Sequence, residues 1–464
     1  MHKTRGGNDM NIYFERLGFI NKGELNLNGF TLLCGPNNTG KTYAMYSLYG
    51  LLNNNFEVHF EFLADVLRQL AAKNVYQVDL RDLMAQHFDS MIRQIEDSFH
   101  KQLPRLFSVE ESDFLNTKIK LTFDRDALLQ RATDNEWKTK LSFGKEKDWF
   151  LYIEKAANQT MLTLSLRETN WPQDILIAFI SSHIVKLIFS NISRRCFLLP
   201  AERSGLNLFF KELSSIRNRL LHQAQKYHIN PIEFLQDLIE SRYAEPISDY
   251  IEFLNSLDAV KKHKGQFCAT AQEIQNEILK GQYEVSQHGD VYFLPDHGEQ
   301  KKMPLHFTSS TVKTFFGLVF YLNHLAQKGD CLMIDEPELN LHPENQRTIV
   351  RILVALVNAG LKIIVSTHSD YFVRELNNLI LFNRDFRQSA ELKKKYGYAQ
   401  TDALDSRHIS AYLFEHHKIT PLEFIPDEGF IAETFDNVIR SLNQSSHDIY
   451  YTIQEELEEP ESDV

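Results

Sequence analysis

No stretch of the 464-residue chain approaches the roughly 18 consecutive apolar residues of a membrane-spanning helix, so none reads as a transmembrane segment. The first ten residues, MHKTRGGNDM, are charged and lead into no apolar core, which speaks against a secretory signal. Cysteine is scarce: Cys34, Cys196, Cys268 and Cys331 show no paired spacing and lie mostly in apolar segments. That pattern argues against a zinc site and suggests reduced, packed thiols in a cytosolic protein. Positive charge is short as well, with 50 Lys and Arg against 62 Asp and Glu and a net charge of −12. Proteins that wrap nucleic acid unaided are usually basic, because phosphate contacts dominate that affinity. The overall field here disfavours non-specific DNA binding. The local excesses, Arg194 with Arg195 and the run from Lys393, read as solvated faces. What is present is an ordinary globular composition, 43% apolar and 24% charged, in a length sufficient for several packed units.

One stretch stands apart. CLMIDEPELNLHPENQ, residues 331–346, carries an apolar strand straight into Asp335 and Glu336 before Pro337 breaks it. Two adjacent carboxylates at the end of a buried strand would cost several kcal/mol without partners. A metal and a phosphate would supply those partners, and the chain holds a phosphate cradle almost 300 residues earlier. Residues 30–34 read as a short apolar strand, followed by Gly35-Pro36-Asn37-Asn38-Thr39-Gly40-Lys41-Thr42 and then a helix. The loop matches G-x-x-x-x-G-K-[ST] in full. Glycines let backbone N–H groups approach phosphate oxygens, and the helix start adds its partial positive charge. Lys41 would reach the β- and γ-phosphates of ATP and Thr42 would offer its hydroxyl to Mg²⁺. Asp335, a hard oxygen donor, would hold Mg²⁺ through water, and Glu336 would act as general base on the attacking water. A second buried strand, 361–366, ends in Ser366-Thr367-His368-Ser369, which puts His368 where a γ-phosphate sensor would sit.

Together GPNNTGKT, LMIDEPELNLHP and IIVSTHS resemble the ABC-type ATPases of the SMC and OLD group. Within it, they are most similar to the stand-alone ATPases of bacterial anti-phage systems such as Septu, PARIS and retron-linked operons. The resemblance covers residues 10–50 and roughly 195–450. It implies a D-loop at Glu338–Pro343 and a signature segment donated in trans across a nucleotide-sandwich homodimer. FTSSTVKTFFGLVFYL occupies the signature position, with Ser309 and Ser310 preceding an apolar-faced helix. No double glycine is present, and the alternative there is an ordinary N-capped core helix. In CFLLPAERSGLNLFFKEL, residues 196–213, no conventional Q-loop glutamine appears. Glu202 or Arg203 stands where it could take part of that role or form a structural ion pair.

The fold expected is α/β, an ABC-type P-loop ATPase core with an inserted α+β segment and a helical arm. The core would comprise 10–50, 195–210 and 285–450. Residues 51–194 form the insertion, helical over 57–110 and antiparallel over 115–167, with a long apolar helix near 172–190. Residues 211–284 read as a helical arm or lid, QYEVSQHGDVYFLP as a hairpin, and 451–464 as an acidic disordered tail. Two segments invite a nuclease reading. The 95 residues after Ser369 do not form the acidic cluster of a Toprim domain. RNRLLH, from Arg217 to His222, has the Arg-x4-His spacing of HEPN-type ribonucleases, but a basic surface helix is the better reading. The sequence therefore points to a bacterial, cytoplasmic Mg²⁺-dependent ATPase that homodimerises and controls a separate effector. The resemblance implies an HNH or Toprim nuclease for that partner. The main rival is a repair or chromosome-associated ATPase that clamps DNA directly.

Overall fold

The computed structural model describes residues 10–53, 56–142, 149–167, 172–189, 194–213, 243–287, 289–297, 301–431 and 433–458. The first strands are β1 (Met10–Leu17), β2 (Ile20–Asn26) and β3 (Phe30–Cys34). β3 is buried at every position, as expected of an apolar run with helices on both faces. It runs through residues 35–40 into α1 (Lys41–Leu52). Then come α2 (Leu63–Lys73), β4 (Val75–Asp79), α3 (Leu80–Phe107), β5 (Lys118–Phe123) and α4 (Arg125–Asp134). Three antiparallel strands, β6 (Trp137–Ser142), β7 (Trp149–Lys155) and β8 (Met161–Leu166), precede the long apolar α5 (Gln173–Phe189).

The chain then returns to the core through β9 (Cys196–Leu199) and a helix, α6, covering 203–213. Helix α7 (Glu245–Asn255) follows, and next the expected hairpin, β10 (Gly281–Val285) with β11 (Val291–Pro295), which β12 (Met303–Pro304) extends. Helix α8 (Ser310–His324) leads to β13 (Cys331–Asp335), α9 (Pro343–Asn358), β14 (Lys362–Thr367) and α10 (Asp370–Leu381). Strands β15 (Ile409–Glu415) and β16 (Lys418–Pro421) complete the main sheet, and α11 (Glu433–Glu458) ends the described chain.

The main sheet has nine strands in the order β5-β1-β2-β16-β15-β3-β14-β13-β9. From β15 to β9 every neighbouring pair is parallel, whereas the β1, β2 and β5 edge is antiparallel. One strand, β14, separates β3 from β13, so the residues following all three strands meet at a single edge. Ligands of open parallel sheets bind beyond such carboxyl ends. The four-stranded sheet β4-β8-β7-β6 lies in the segment expected as an insertion. That segment is stitched to the body: β5 pairs with β1, and its apolar side chains share one core with α1.

Several expectations are corrected. Residues 75–79 lie within the stretch expected to be helical, yet they pair with β8 as β4. The five residues VYQVD show no clean period-2 alternation and are too short a run to separate from the flanking helical periodicity. Conversely α4 interrupts the expected run of strands, with Asp124 capping the backbone N–H groups of Asp126 and Ala127. Residues 451–458, expected to be disordered, continue α11; Ile449, Ile453 and the Glu-rich end have good helix periodicity, and acidic composition alone does not break a helix. Arg217 and His222 lie outside the described residues. Among the described residues no helix is long and apolar enough to cross a membrane.

Candidate functional site

The turn after β3 shows why glycine is needed there. Gly35 has φ 140°, and a Cβ on it would sit 2.3 Å from the Phe414 carbonyl of β15. At Gly40 (φ 103°) a Cβ would meet Ile20 at 2.6 Å. Asn38 is also left-handed, at φ 60°, and Thr39 closes the loop by donating from its hydroxyl to the Pro36 carbonyl at 2.8 Å. The Lys41 ammonium curls back to donate to the carbonyls of Gly35 (2.9 Å) and Pro36 (2.7 Å). Burial lowers its pKa, opposed chiefly by Asp335 and Glu336.

Asp335, at the end of β13, is 4% exposed. The Thr42 hydroxyl donates to its Oδ2 at 3.2 Å and the Ser366 hydroxyl donates to its Oδ1. Burial nevertheless raises the Asp335 pKa. Glu336 takes a left-handed backbone, φ 53°, and its N–H donates to the Ser366 carbonyl at 3.1 Å. A non-glycine residue there carries strain that the surroundings must hold. This kink turns the Glu336 side chain out of the strand direction, leaving it 26% exposed with Oε1 3.4 Å from His368 Nδ1. Glu338 is 5% exposed, and its Oε1 accepts from the Thr367 hydroxyl (2.6 Å) and the His368 N–H (2.9 Å). Lys41, Thr42, Asp335, Glu336 and His368 are thus brought to one sheet edge.

Arg203 corrects the ion-pair expectation. It is 2% exposed, and its guanidinium donates to three main-chain carbonyls: Pro200 at 3.0 Å, Asp335 at 2.6 Å and Glu336 at 2.6 Å. The arginine clamps the backbone beneath both carboxylates instead of pairing with a side chain. Glu202 beside it is exposed. Ser309 and Ser310 are elsewhere: both are exposed at the start of α8, where the Ser309 hydroxyl accepts from the Val312 N–H at 3.3 Å. The rest of α8 is a core helix. Its first turn is tied to the segment after the carboxylates, since Thr311 donates to the Asn340 carbonyl (2.8 Å) and Asn340 Nδ2 to the Thr314 hydroxyl (3.0 Å).

A family model described as AAA ATPase domain matches residues 17–373, from the end of β1 through the start of α10. The chain belongs to this family. As an AAA ATPase domain protein it has the α/β, ABC-type P-loop ATPase fold with added helical segments, consistent with a parallel sheet in which one strand separates the phosphate-loop strand from the carboxylate strand. No curated protein matches the sequence. Among solved structures it is similar to an Smc head domain with an extended coiled coil bound to the C-terminal domain of ScpA, from Pyrococcus furiosus. That match has 10% identity and a TM-score of 0.33, covering 93% of this chain and 98% of that one. An SMC head domain from Thermotoga maritima matches at 9% identity and a TM-score of 0.29, over 89% and 98% of the two chains. Likeness at this level transfers no activity or partner.

Sequence reasoning missed an exposed aromatic near the cradle. Phe19, in the β1–β2 turn, is 48% exposed and packs edge-on against Tyr43 of α1 with ring centroids 5.8 Å apart. His417 of the β15–β16 turn holds that turn through the Phe19 carbonyl at 2.9 Å. An aromatic beside the phosphate loop of an ATPase offers a face for a base, and its only sequence signal was an apolar residue next to Gly18 in a hairpin turn.

Proposed function

We propose that this protein binds Mg²⁺-ATP at the phosphate loop, hydrolyses it, and controls a separate effector. The observation that carries the reading is the hydrogen bond from Thr42 to Asp335 with Glu336 and His368 beside it. The donor set fits the metal: a hydroxyl and a buried carboxylate are hard oxygen ligands, which suit Mg²⁺. Thr42 and Asp335 would hold the ion, which when bound neutralises charge on the β- and γ-phosphates. Residues 35–42 cradle the phosphates through backbone N–H groups, and Lys41 leaves the Gly35 and Pro36 carbonyls to reach the β/γ oxygens. Glu336 takes a proton from water as that water attacks the γ-phosphorus. The bond to the β-bridging oxygen breaks, giving ADP and phosphate. His368, hydrogen-bonding distance from Glu336, reports the γ-phosphate, and Glu338 fixes its backbone. Phe19 stacks on the adenine.

Ser309 and Ser310 act in trans. Their exposure at a helix N-terminus supports a contact with the γ-phosphate bound to a second copy, and the Asn340–Thr314 link supports coupling of that contact to the D-loop. The motif resemblance assigns the output to a separate polypeptide; β15 and β16, which follow Ser369, belong to the ATPase sheet. The motif resemblance supports a nuclease of HNH or Toprim type in cytoplasmic anti-phage defence. A pull-down of wild type and Glu336→Gln with Mg²⁺-ATP, from cells holding the native neighbouring genes, tests this. A nucleotide-dependent complex with a nuclease supports it. Recovery of DNA alone on an ATP-driven homodimer moves the function to a DNA clamp, and metal-independent RNA cleavage lost on His222→Ala moves it to a ribonuclease.

A further inference from the structure

Helix α11 (Glu433–Glu458) leaves the body of the protein: every position from Arg440 to Gln454 is exposed. Its hydrogen bonds there are local, such as Gln444 to Asp448 and Ser445 to the Leu442 carbonyl. Yet it is not polar all round. Leu442 is 63% exposed, Ile449 62% and Ile453 51%. With Ile439 and Ser446 they recur at spacings of three, four, three and four, which draws a single seam along the helix. This is the repeat of a coiled coil, and a stripe of this kind left in water marks an association surface.

We propose that α11 pairs antiparallel with α11 of a second copy, without nucleotide. Self-pairing with a two-fold axis near Gln444 sets Ile439 opposite the partner's Ile449 and Leu442 opposite the partner's Ser446. These central layers then meet either two branched side chains or one large and one small, as a packed seam requires. A parallel pair would instead bring Ser446 against itself at the centre, leaving the middle of the seam without apolar contact.

Charge selects the same direction. Of the charged residues whose side chains are described, Arg440 lies in the first half of the seam and Asp448 in the second. The two-fold near Gln444 sets Arg440 level with the partner's Asp448, whereas a parallel pair sets like charge level with like. The described seam from Ile439 to Ile453 is short, about 21 Å at 1.5 Å per residue, so the pair should dissociate on the order of micromolar. Such a contact is separate from the nucleotide sandwich. Acting with it, it would link copies into assemblies larger than two.

Sedimentation velocity of the full-length Lys41→Ala protein without nucleotide, across a concentration series, tests this independently of the ATPase reading. The expected result is a rise to twice the 54.1 kDa chain mass. Leu442→Asp/Ile449→Asp in the same background should stay monomeric at every concentration with unchanged thermal unfolding, because both sites are exposed. Leu442→Cys/Ser446→Cys should cross-link under oxidation, each single variant much less. A chain that remains monomeric without nucleotide overturns the proposal, as does a dimer indifferent to the two aspartates. Efficient cross-linking by Leu442→Cys alone, the parallel signature, overturns it too.

Discussion

Strands β13 and β7 each end on a buried charge, Asp335 in one and Lys155 in the other, and the two charges are treated differently. Lys155 is 1% exposed, and its ammonium donates to the carbonyls of Thr133, Asn135, Ala156 and Gln159. An ammonium has three protons, so four acceptors saturate it. The charge ties the end of α4 and the β7–β8 turn together. Asp335 has cations close by, but neither bonds its carboxylate: Lys41 donates to loop carbonyls and Arg203 to main-chain carbonyls, that of Asp335 among them. Its partners are two hydroxyls, and burial raises its pKa. A buried charge consumed by its own fold is structural; one left with neutral donors beside a phosphate cradle is arranged for something that arrives.

Substitutions can break that contrast. The largest effect is expected for Lys41→Ala, which should remove nucleotide binding, read by titration with a fluorescent ATP analogue, and turnover with it, while chemical denaturation stays near wild type. Lys155→Met should do the reverse, costing about 2–4 kcal/mol of stability by leaving buried carbonyls unsatisfied, with turnover per folded molecule unchanged. Arg203→Met sits between the two. It should cost about 2 kcal/mol and slow turnover roughly tenfold, because the kinked Glu336 backbone loses its clamp. Phe19→Ala should raise KM about tenfold at constant kcat, the worth of one base stacked on an aromatic; an unchanged KM would remove Phe19 from the site.

The smallest effect concerns pH. Because the folded-state pKa of Asp335 is raised, the native state takes up its proton more readily than the unfolded chain. Its contribution to stability is present in acid and is lost as pH rises through the folded value. Asp335→Asn stays neutral, so it should be more stable than wild type near neutrality by about 1 kcal/mol, read as a higher melting temperature, with the gap closing as pH falls. Thermal melts of both proteins across that range check the sign, and the stabilised variant should no longer turn over ATP with Mg²⁺.

The ends of β3, β13 and β14 were legible because their chemistry is local: eight consecutive residues make the cradle, and an apolar run that stops on Asp335-Glu336 admits few explanations. Arg203 was not legible, since its meaning lies in carbonyls 132 and 133 positions away, and carbonyls carry no side-chain signature. The same holds for Ser366, read as part of a strand end and found donating to Asp335. Strand β4 escaped because five residues between two helices give periodicity too little length. The end of α11 was misjudged because composition was weighed above the three-four repeat that runs through it.

The most direct measurement is single-turnover hydrolysis of Mg²⁺-ATP by wild type and Glu336→Gln, with nucleotide affinity measured on the same samples. If Glu336 is the base at the end of β13, the variant should bind ATP with near wild-type affinity and release phosphate about 10²–10⁴-fold more slowly. Equal phosphate release by the two proteins would contradict that role and with it the assignment of this sheet edge as the hydrolytic site.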